Sequence, residues 1–244
     1  MIVTYILLAL CVVSAALMEL SPRLQFERAH EVENPAQPVG ELERRYQTHG
    51  TLQYATMRMV TAALIAALGI VGALQTDMGN IWFSICAFVL VMAADVLIAL
   101  SHLKGFNKSL LKKIGFVVKT FSQIAFALSL SVIINNGTVA LATVLLGFIL
   151  GAIVNKLINR RKFEMRAYVT LANSLVFSNL ALAIIAVLYS VSAFTLLVLV
   201  GFAVVLVGVT FYIVNCKGEW CYYIVSIMHN VGYILIAFAY GFAF

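Results

Sequence analysis

The chain alternates between long apolar stretches and shorter polar connections. A membrane-spanning helix needs about 20 predominantly apolar residues, with a range of about 17–25. Stretches of roughly that length occur at 1–18, 58–75, 81–101, 114–134, 138–156, 167–189, 193–214 and 221–244. The pattern therefore predicts an all-α fold, a polytopic membrane helix bundle with eight transmembrane helices. Residues 88–100 are faintly similar in sequence to residues 202–214. Such similarity is expected if the bundle consists of two repeated units of four helices each, a 4+4 internal repeat.

The long polar stretch at residues 19–57 separates the first apolar segment from the other seven. It contains all three prolines of the chain. We therefore divide the chain into a first transmembrane helix (1–18), a cytoplasmic loop (19–57) and a seven-helix remainder of one membrane domain (58–244). The segment VGELERRYQTHGTLQYATMR, residues 39–58, fits an interfacial amphipathic helix leading into the second span. A solvated linker fits it equally well.

Composition agrees with this interpretation and changes the meaning of the net charge. The chain is 63% hydrophobic and 11% charged, whereas soluble domains carry about 25% charged residues. The net charge of +6 could suggest a nucleic-acid partner. Its distribution along the chain explains it better as membrane topology, so we expect no nucleic-acid partner.

The basic residues concentrate in alternate connections. Nearly all of them lie in or beside 19–57, 102–113, 157–166 and 215–220, and none lies in 76–80, 135–137 or 190–192. Because cytoplasmic loops retain Lys and Arg, we predict that the basic connections are cytoplasmic and that both termini lie outside, in a bacterial inner (plasma) membrane. A cleaved signal peptide is the alternative for residues 1–18, but that segment lacks a basic start.

Two opposite charges interrupt the predicted third and fourth spans at similar depth. Asp95 and Lys119 each lie about six residues from the cytoplasmic end of their span, or ~9 Å deep at 1.5 Å per residue. An unpaired charge inside a bilayer costs several kcal/mol. We therefore predict that Asp95 and Lys119 form an ion pair, which either locks two helices together or forms the centre of a functional site.

Further polar residues reach a similar depth from other spans. They are Ser122, Gln123, Asn173, Ser174, Ser226, His229, Asn230 and Tyr233. Their convergence predicts a polar pocket in the cytoplasmic half of the bundle. The alternative is structural: serines bond their own helix backbone, and His229 is a satisfied interior histidine. The other histidines lie in loops or at span edges and the cysteine spacing does not fit a zinc site, so we expect no metal and no cofactor.

Two pairs of segments resemble the YhhN-like lysoplasmalogenase family. VMAADVLIALSH (91–102) and KTFSQIAFALSL (119–130) match its first motifs, and LVGVTFYIVN (206–215) and MHNVGYILIAFA (228–239) occupy the places of its later ones. The resemblance covers roughly residues 80–244. Asp95 matches the first family aspartate. The second aspartate falls on Val209, the histidine of the fourth span on Gln123, and the terminal glutamine on Tyr233.

The resemblance implies a membrane-embedded hydrolase of lipid metabolism that cleaves the vinyl ether bond of lysoplasmalogen. An acid protonates the enol-ether carbon while water attacks the resulting oxocarbenium ion. Because Val209 replaces the second carboxylate, His229 or Tyr233 has to substitute for it. Alternatively, Lys119 keeps Asp95 ionised, so that Asp95 acts as a base or an electrostatic stabiliser.

On this interpretation we assign roles to seven residues and a lipid to the pocket. Asp95 and His229 are the candidate catalytic residues. The candidate substrate-binding residues are Lys119, Gln123, Asn173, Asn230 and Tyr233, and the expected partner is a membrane lipid or lysolipid substrate. Two alternatives on the same fold stay open: a non-catalytic protein that binds an amphiphile, and a small-solute transporter that uses Asp95 for coupling. The oligomeric state is left open.

Overall fold

The structure is a computed structural model that describes residues 2–31, 39–75, 81–101, 103, 107–158, 163–214 and 219–242. Its elements are α1 (Ile2–Glu31), α2 (Val39–Leu74), α3 (Ile81–Leu100), α4 (Lys108–Ile134), α5 (Gly137–Ile158), α6 (Phe163–Tyr189), α7 (Ala193–Val214) and α8 (Glu219–Ala239), with a closing 3-10 turn at Tyr240–Phe242. The described part of the chain contains helices and no strand. The predicted all-α bundle is confirmed.

Each of these eight helices contains a segment long and apolar enough to cross a membrane. The segments are Ile2–Leu20, Leu52–Leu74, Ile81–Leu100, Ser109–Ile134, Gly137–Ile158, Met165–Tyr189, Ala193–Val214 and Ile224–Phe242. The second begins at Leu52 rather than at residue 58, because residues 52–57 carry no charge. The earlier start places Arg58 inside a span. The internal repeat stays a prediction.

The helices on either side of the predicted first loop are longer than their spans. α1 continues to Glu31, and α2 already begins at Val39. Residues 32–38 lie outside the described residues, as do 76–80, 104–106, 159–162 and 215–218. The division of the chain into a first helix, a loop and a remainder stays a prediction, as does an interfacial position for the start of α2.

Consecutive helices pack side by side in opposite directions. Between α1 and α2, Thr4 hydrogen-bonds Gln75 at 3.1 Å and Ser14 lies 2.7 Å from Thr61, so that residue numbers rise in one helix as they fall in the other. The pairs α2–α3, α3–α4, α5–α6 and α7–α8 show the same opposed order.

This arrangement brings the basic connections of the sequence to one end of the bundle. We call it the basic end. The spans meet it at Leu20, Leu52, Leu100, Ser109, Ile158, Met165, Val214 and Ile224. Polar side chains near those residues therefore lie at similar heights, whichever helix carries them.

The outward faces of the helices are apolar, as lipid contact requires. α5 shows this most clearly, since its exposed residues include Leu145, Leu146, Ile149, Leu150 and Ile153. Soluble monomers rarely expose contiguous apolar patches of more than a few hundred Å². The bundle therefore fits a hydrocarbon environment and not water.

The inward face of α5 is a stripe of small residues that lets α6 approach closely. A Cβ atom added to Gly147 would lie 2.7 Å from Ser178 Cα, and one added to Gly151 would lie 2.8 Å from Ser174 Cα. Real Cβ atoms are not found so close to a backbone, so glycine is required at both positions. Small residues at a helix interface let the two backbones approach closely, as is common between membrane helices.

α4 and α8 face each other across the interior, and they run in the same direction. Side chains join them at three levels, Lys119–His229, Gln123–Tyr233 and Ser129–Tyr240. Their backbones do not pack along one another; α4 packs mainly on α3 and α6, and α8 on α7 and α2. The space between α4 and α8 is therefore filled by long side chains.

The part of this space farther from the basic end contains an aromatic layer, which comprises Phe88, Phe126, Phe194, Phe202 and Tyr240. Their rings meet edge to face, with centroid distances of 5.1 to 5.7 Å. Such pairs add about 0.5–1.5 kcal/mol beyond their buried area. The aromatic layer therefore fills the space between α4 and α8 on the side of the polar residues that is farther from the basic end.

Candidate functional site: a charged layer between four helices

Four ionisable residues in the basic half of the bundle form a connected charged layer, which comprises Arg58, Asp95, Lys119 and His229. The two carboxylate oxygens of Asp95 have different partners. Oδ1 lies 3.3 Å from Arg58 Nη2 and Oδ2 lies 3.0 Å from His229 Nε2. On the far side of the imidazole, His229 Nδ1 lies 3.3 Å from Lys119 Nζ. Helices α2, α3, α4 and α8 each supply one residue.

The predicted direct pair between Asp95 and Lys119 is wrong. The ion-pair partners that the described residues provide for Asp95 are Arg58 and His229. The imidazole of His229 enters from α8 and lies between the carboxylate and the ammonium group. Asp95 and Lys119 still belong to one electrostatic cluster, but the contact between them is relayed through a third side chain.

The geometry determines how the hydrogen bonds of His229 run. An ammonium group can only donate, so with Lys119 charged, Nδ1 of His229 is the acceptor and the ring proton lies on Nε2. Nε2–H then donates to Asp95 Oδ2. The layer forms a continuous chain from Lys119 through His229 and Asp95 to Arg58, along which a proton can move between the ring and its neighbours.

Because these charged groups are largely buried, each of them needs the others as partners to offset the cost of its burial. Asp95 is 5% and Lys119 9% exposed, while the side chains of Arg58 and His229 retain 21% and 13%. An isolated charge in such surroundings would cost several kcal/mol. The Arg58 guanidinium and the Asp95 carboxylate reduce that cost for each other, which is how two apolar spans accommodate them.

A second, uncharged network lies next to the charged layer, one helical turn farther from the basic end. Gln123 Nε2 donates to the Tyr233 hydroxyl at 2.8 Å, and Asn179 Nδ2 donates to Gln123 Oε1 at 2.9 Å. The Tyr233 ring packs against the His229 ring with centroids 4.7 Å apart. We call Gln123, Asn179 and Tyr233 the amide network; it fixes the ring against which His229 lies.

Two predicted substrate-binding residues lie outside these contacts. Asn173 faces α5, where its Nδ2 donates to Asn155 Oδ1 at 2.7 Å. Asn230 is buried, and its Nδ2 has no hydrogen-bond partner among the described residues. The structure thus connects Asp95, Lys119, Gln123, His229 and Tyr233 and does not connect Asn173 to them. Their roles toward a substrate stay predictions.

Sequence reasoning missed two charged residues at this site, Arg58 and Glu19. Glu19 lies at the end of the first span, and its carboxyl group is within electrostatic range of Arg58. On the predicted boundaries, Glu19 is the first residue of the first loop and Arg58 immediately follows that loop. The uncharged segment at 52–57 was the available signal for Arg58, since it lengthens the second apolar stretch.

The described residues contain no group of three or more His, Cys, Asp or Glu that could hold a metal ion. In comparison with known proteins, no family model, no curated protein and no solved structure matches the chain. The likeness to YhhN-like lysoplasmalogenases therefore stays a prediction. What the site can do has to be argued from its own geometry.

Proposed function

We propose that this integral membrane protein hydrolyses the vinyl ether bond of a lysoplasmalogen-type lysolipid in the basic half of the bundle. The observation that carries the proposal is the position of Asp95, a buried carboxylate with a cation on one oxygen and an imidazole on the other. An ionised carboxylate in a low-dielectric interior is a strong electrostatic stabiliser of a positive transition state.

Vinyl ether hydrolysis passes through such a positive state. Protonation of the carbon distal to the ether oxygen yields an oxocarbenium ion, water adds to it, and the hemiacetal collapses to an alcohol and an aldehyde. In this scheme Asp95 stabilises the oxocarbenium ion, and Arg58 and His229 hold the carboxylate in place. The initiating proton comes from a separate group, because both oxygens of Asp95 already accept hydrogen bonds.

The arrangement of the bundle also suits an amphiphile. Charged and amide side chains lie at the basic half, and the aromatic layer lies deeper in the interior. A lysolipid has the same order, with a polar headgroup followed by a hydrocarbon chain. Since Lys and Arg are retained in cytoplasmic loops, we further propose that the basic end faces the cytoplasm, in a bacterial inner membrane.

The direct test is aldehyde release by the purified full-length chain in lipid nanodiscs. Wild-type protein is expected to release aldehyde from lysoplasmalogen and none from a lysolipid whose ether chain is saturated. Asp95→Asn is expected to lower the initial rate by about 100-fold or more, the range for loss of one acid–base or electrostatic group. Glu164→Gln, just before the sixth span, is the matched control. Equal rates for wild type and Asp95→Asn would exclude Asp95 from catalysis.

A second candidate, binding of an amphiphile without catalysis, is favoured by one observation. Both oxygens of Asp95 and both ring nitrogens of His229 have partners within the protein. A fully partnered network is what a structural role requires. Saturable lysolipid binding by wild type, with no aldehyde released and no change in affinity in Asp95→Asn, would select this candidate.

A further inference from the structure

Lys119 is the cation of the charged layer that is not held by a carboxylate. Asp95 is already in ion-pair contact with Arg58 and His229, and within the described part of the chain no carboxylate is in ion-pair contact with Lys119. The Lys119 Nζ atom instead lies 3.3 Å from His229 Nδ1 and 5.7 Å from the centroid of the Tyr233 ring. The amine of Lys119 therefore lies beside a base and an aromatic face.

Three residues of the layer have the order of a nucleophile, a base and an orienting group. Asp95 Oδ2 lies 3.0 Å from His229 Nε2, and the other ring nitrogen, Nδ1, lies 3.3 Å from Lys119 Nζ. A carboxylate that orients an imidazole toward a nucleophilic atom is the arrangement by which proteins activate such an atom. Here the atom is an amine nitrogen. The three side chains come from α3, α8 and α4, so the fold of the bundle brings them together.

Burial suits an amine that gives up its proton. Lys119 is 9% exposed, and a neutral amine avoids most of the cost of a buried ammonium group. His229 Nδ1 is placed to accept the proton, and Asp95 then lies 3.0 Å from the resulting imidazolium and stabilises it. Desolvated lysines are nucleophiles that form Schiff bases with carbonyl compounds.

We propose that Asp95, His229 and Lys119 form a triad in which Lys119 binds a long-chain aldehyde covalently, as an imine. The choice of a long-chain aldehyde rests on the proposed function, because hydrolysis of the vinyl ether releases one. The neighbouring Tyr233 ring suits the adduct. The face of an aromatic ring attracts a cation, and the same ring offers an apolar surface to the first carbons of the chain.

The reaction needs no group beyond the triad and the aldehyde. His229 takes a proton from the Lys119 ammonium group, and the free amine attacks the aldehyde carbon. A C–N bond forms as the electron pair of the C=O π bond moves to oxygen, which receives that proton from the imidazolium. The nitrogen then passes a second proton through His229 to the hydroxyl group, which leaves as water as the C=N bond forms. Ammonium plus aldehyde gives protonated imine plus water, so the charge of the layer is unchanged.

Reductive trapping on the full-length chain in lipid nanodiscs tests the proposal. Hexadecanal, a saturated long-chain aldehyde, is added with cyanoborohydride, which reduces an imine to a stable secondary amine. The mass of the protein should increase by that of the aldehyde less one oxygen atom, and peptide mapping should place the adduct on Lys119. Lys156, an exposed residue in the last turn of α5, measures non-specific reaction. Modification of Lys119 no faster than that of Lys156 overturns the proposal.

Two variants with the charge retained check the position of the adduct. Lys119→Arg should lose the fast modification, because a guanidinium group does not form an imine under these conditions, and Lys156→Arg should retain it. Fast modification that persists in Lys119→Arg overturns the proposal. If Lys119→Arg does not fold, the peptide map of the wild-type protein decides the matter.

His229→Gln tests the triad. A glutamine can still hydrogen-bond Lys119 but cannot carry its proton, so the rate of adduct formation should fall by about 100-fold or more, the range for loss of a general base. Equal rates in His229→Gln and wild type would show that Lys119 reacts without the triad and would overturn it.

Aldehyde release from lysoplasmalogen separates this inference from the proposed function. If Lys119 is trapped by hexadecanal but wild type releases no aldehyde from lysoplasmalogen, Lys119 is an aldehyde-binding residue and the hydrolase assignment fails. If wild type releases aldehyde and Lys119 is not trapped, the hydrolase assignment holds and the covalent site is excluded.

Discussion

The charged layer and the aromatic layer occupy the same interior space at different heights, and they fill it in opposite ways. In the charged layer, each group depends on a specific partner, as Asp95 does on Arg58 and His229. In the aromatic layer, Phe88 packs edge to face on both Phe126 and Tyr240. Loss of one ring there leaves a cavity, but it leaves no uncompensated charge.

The difference separates two kinds of contribution to the protein. Breaking a buried ion pair is costly because of the charge left behind, not because the pair itself is strongly stabilising. A packed ring contributes through its contacts and costs the cavity that its removal creates. The charged layer is thus sensitive to the loss of a charge, and the aromatic layer to the loss of side-chain volume.

The largest effect on stability is expected for Asp95→Asn. It leaves the Arg58 and Lys119 cations buried without their carboxylate, at a cost of about 3–5 kcal/mol. Unfolding by increasing detergent denaturant in mixed micelles measures the change. The control Glu164→Gln, just before the sixth span, should stay within about 0.5 kcal/mol of wild type. An Asp95→Asn protein as stable as wild type would show that the charged layer is not coupled to the fold.

Double-mutant cycles sharpen the same prediction by ranking the contacts of Asp95. The pair Asp95→Asn and Arg58→Gln, which removes a direct contact, should show a larger coupling free energy than Asp95→Asn and Lys119→Gln, whose contact is relayed. Coupling energies for interacting residues run from about 0.5 to 3 kcal/mol. The reverse ranking would mean that Lys119 and not Arg58 is the main counter-ion.

Phe88→Ala tests the aromatic layer and is expected to cost about 3 kcal/mol, because the emptied space is surrounded by rigid rings. The same unfolding titration measures it. Aldehyde release per folded molecule should not change, since the Phe88 ring packs on Phe126 and Tyr240 and not on the charged layer. Phe121→Ala is the matched control, because Phe121 is 56% exposed. A loss of rate in Phe88→Ala equal to that in Asp95→Asn would remove the distinction between the layers.

The smallest effects on stability are expected for two tyrosine hydroxyls, one beside each layer. Tyr233→Phe removes the hydrogen bond from Gln123, and Tyr240→Phe removes the one shared with Ser129. Each should cost about 0.6 kcal/mol, the average for hydrogen bonds between membrane helices. Tyr233→Phe should in addition lower the rate of aldehyde release, because its ring lies against His229, whereas Tyr240→Phe should not. Equal rates for the two variants would argue against a role for the amide network.

Most of the fold and part of the site can be predicted from the sequence, and the physical reasons are different for the two. The spans and their number follow from hydrophobicity, which is a local property of the chain. Asp95, Lys119 and His229 stood out because each interrupts an apolar stretch. Arg58 is not among the predicted site residues because the predicted second span begins at residue 58, whereas the uncharged residues before it continue the helix.

The partner of Asp95 could not be predicted, because it depends on contacts between distant segments. The sequence points to Lys119 as the partner of Asp95, because α3 and α4 are consecutive helices and the two residues lie at the same depth. The imidazole that lies between them comes from α8, more than a hundred residues later in the chain. Sequence order shows which helices are connected, but it does not show which helices face each other across the interior.

The spacing of α4 and α8 has a mechanical consequence. These helices meet through the tips of Lys119, Gln123, His229 and Tyr233, while their backbones pack on other neighbours. The width of the gap at this level therefore depends on the rotamers of these side chains and not on the packing within the hairpins α3–α4 and α7–α8. For the proposed lysolipid, this spacing predicts entry of the hydrocarbon chain by exchange of side-chain rotamers, without unwinding of a helix in the membrane.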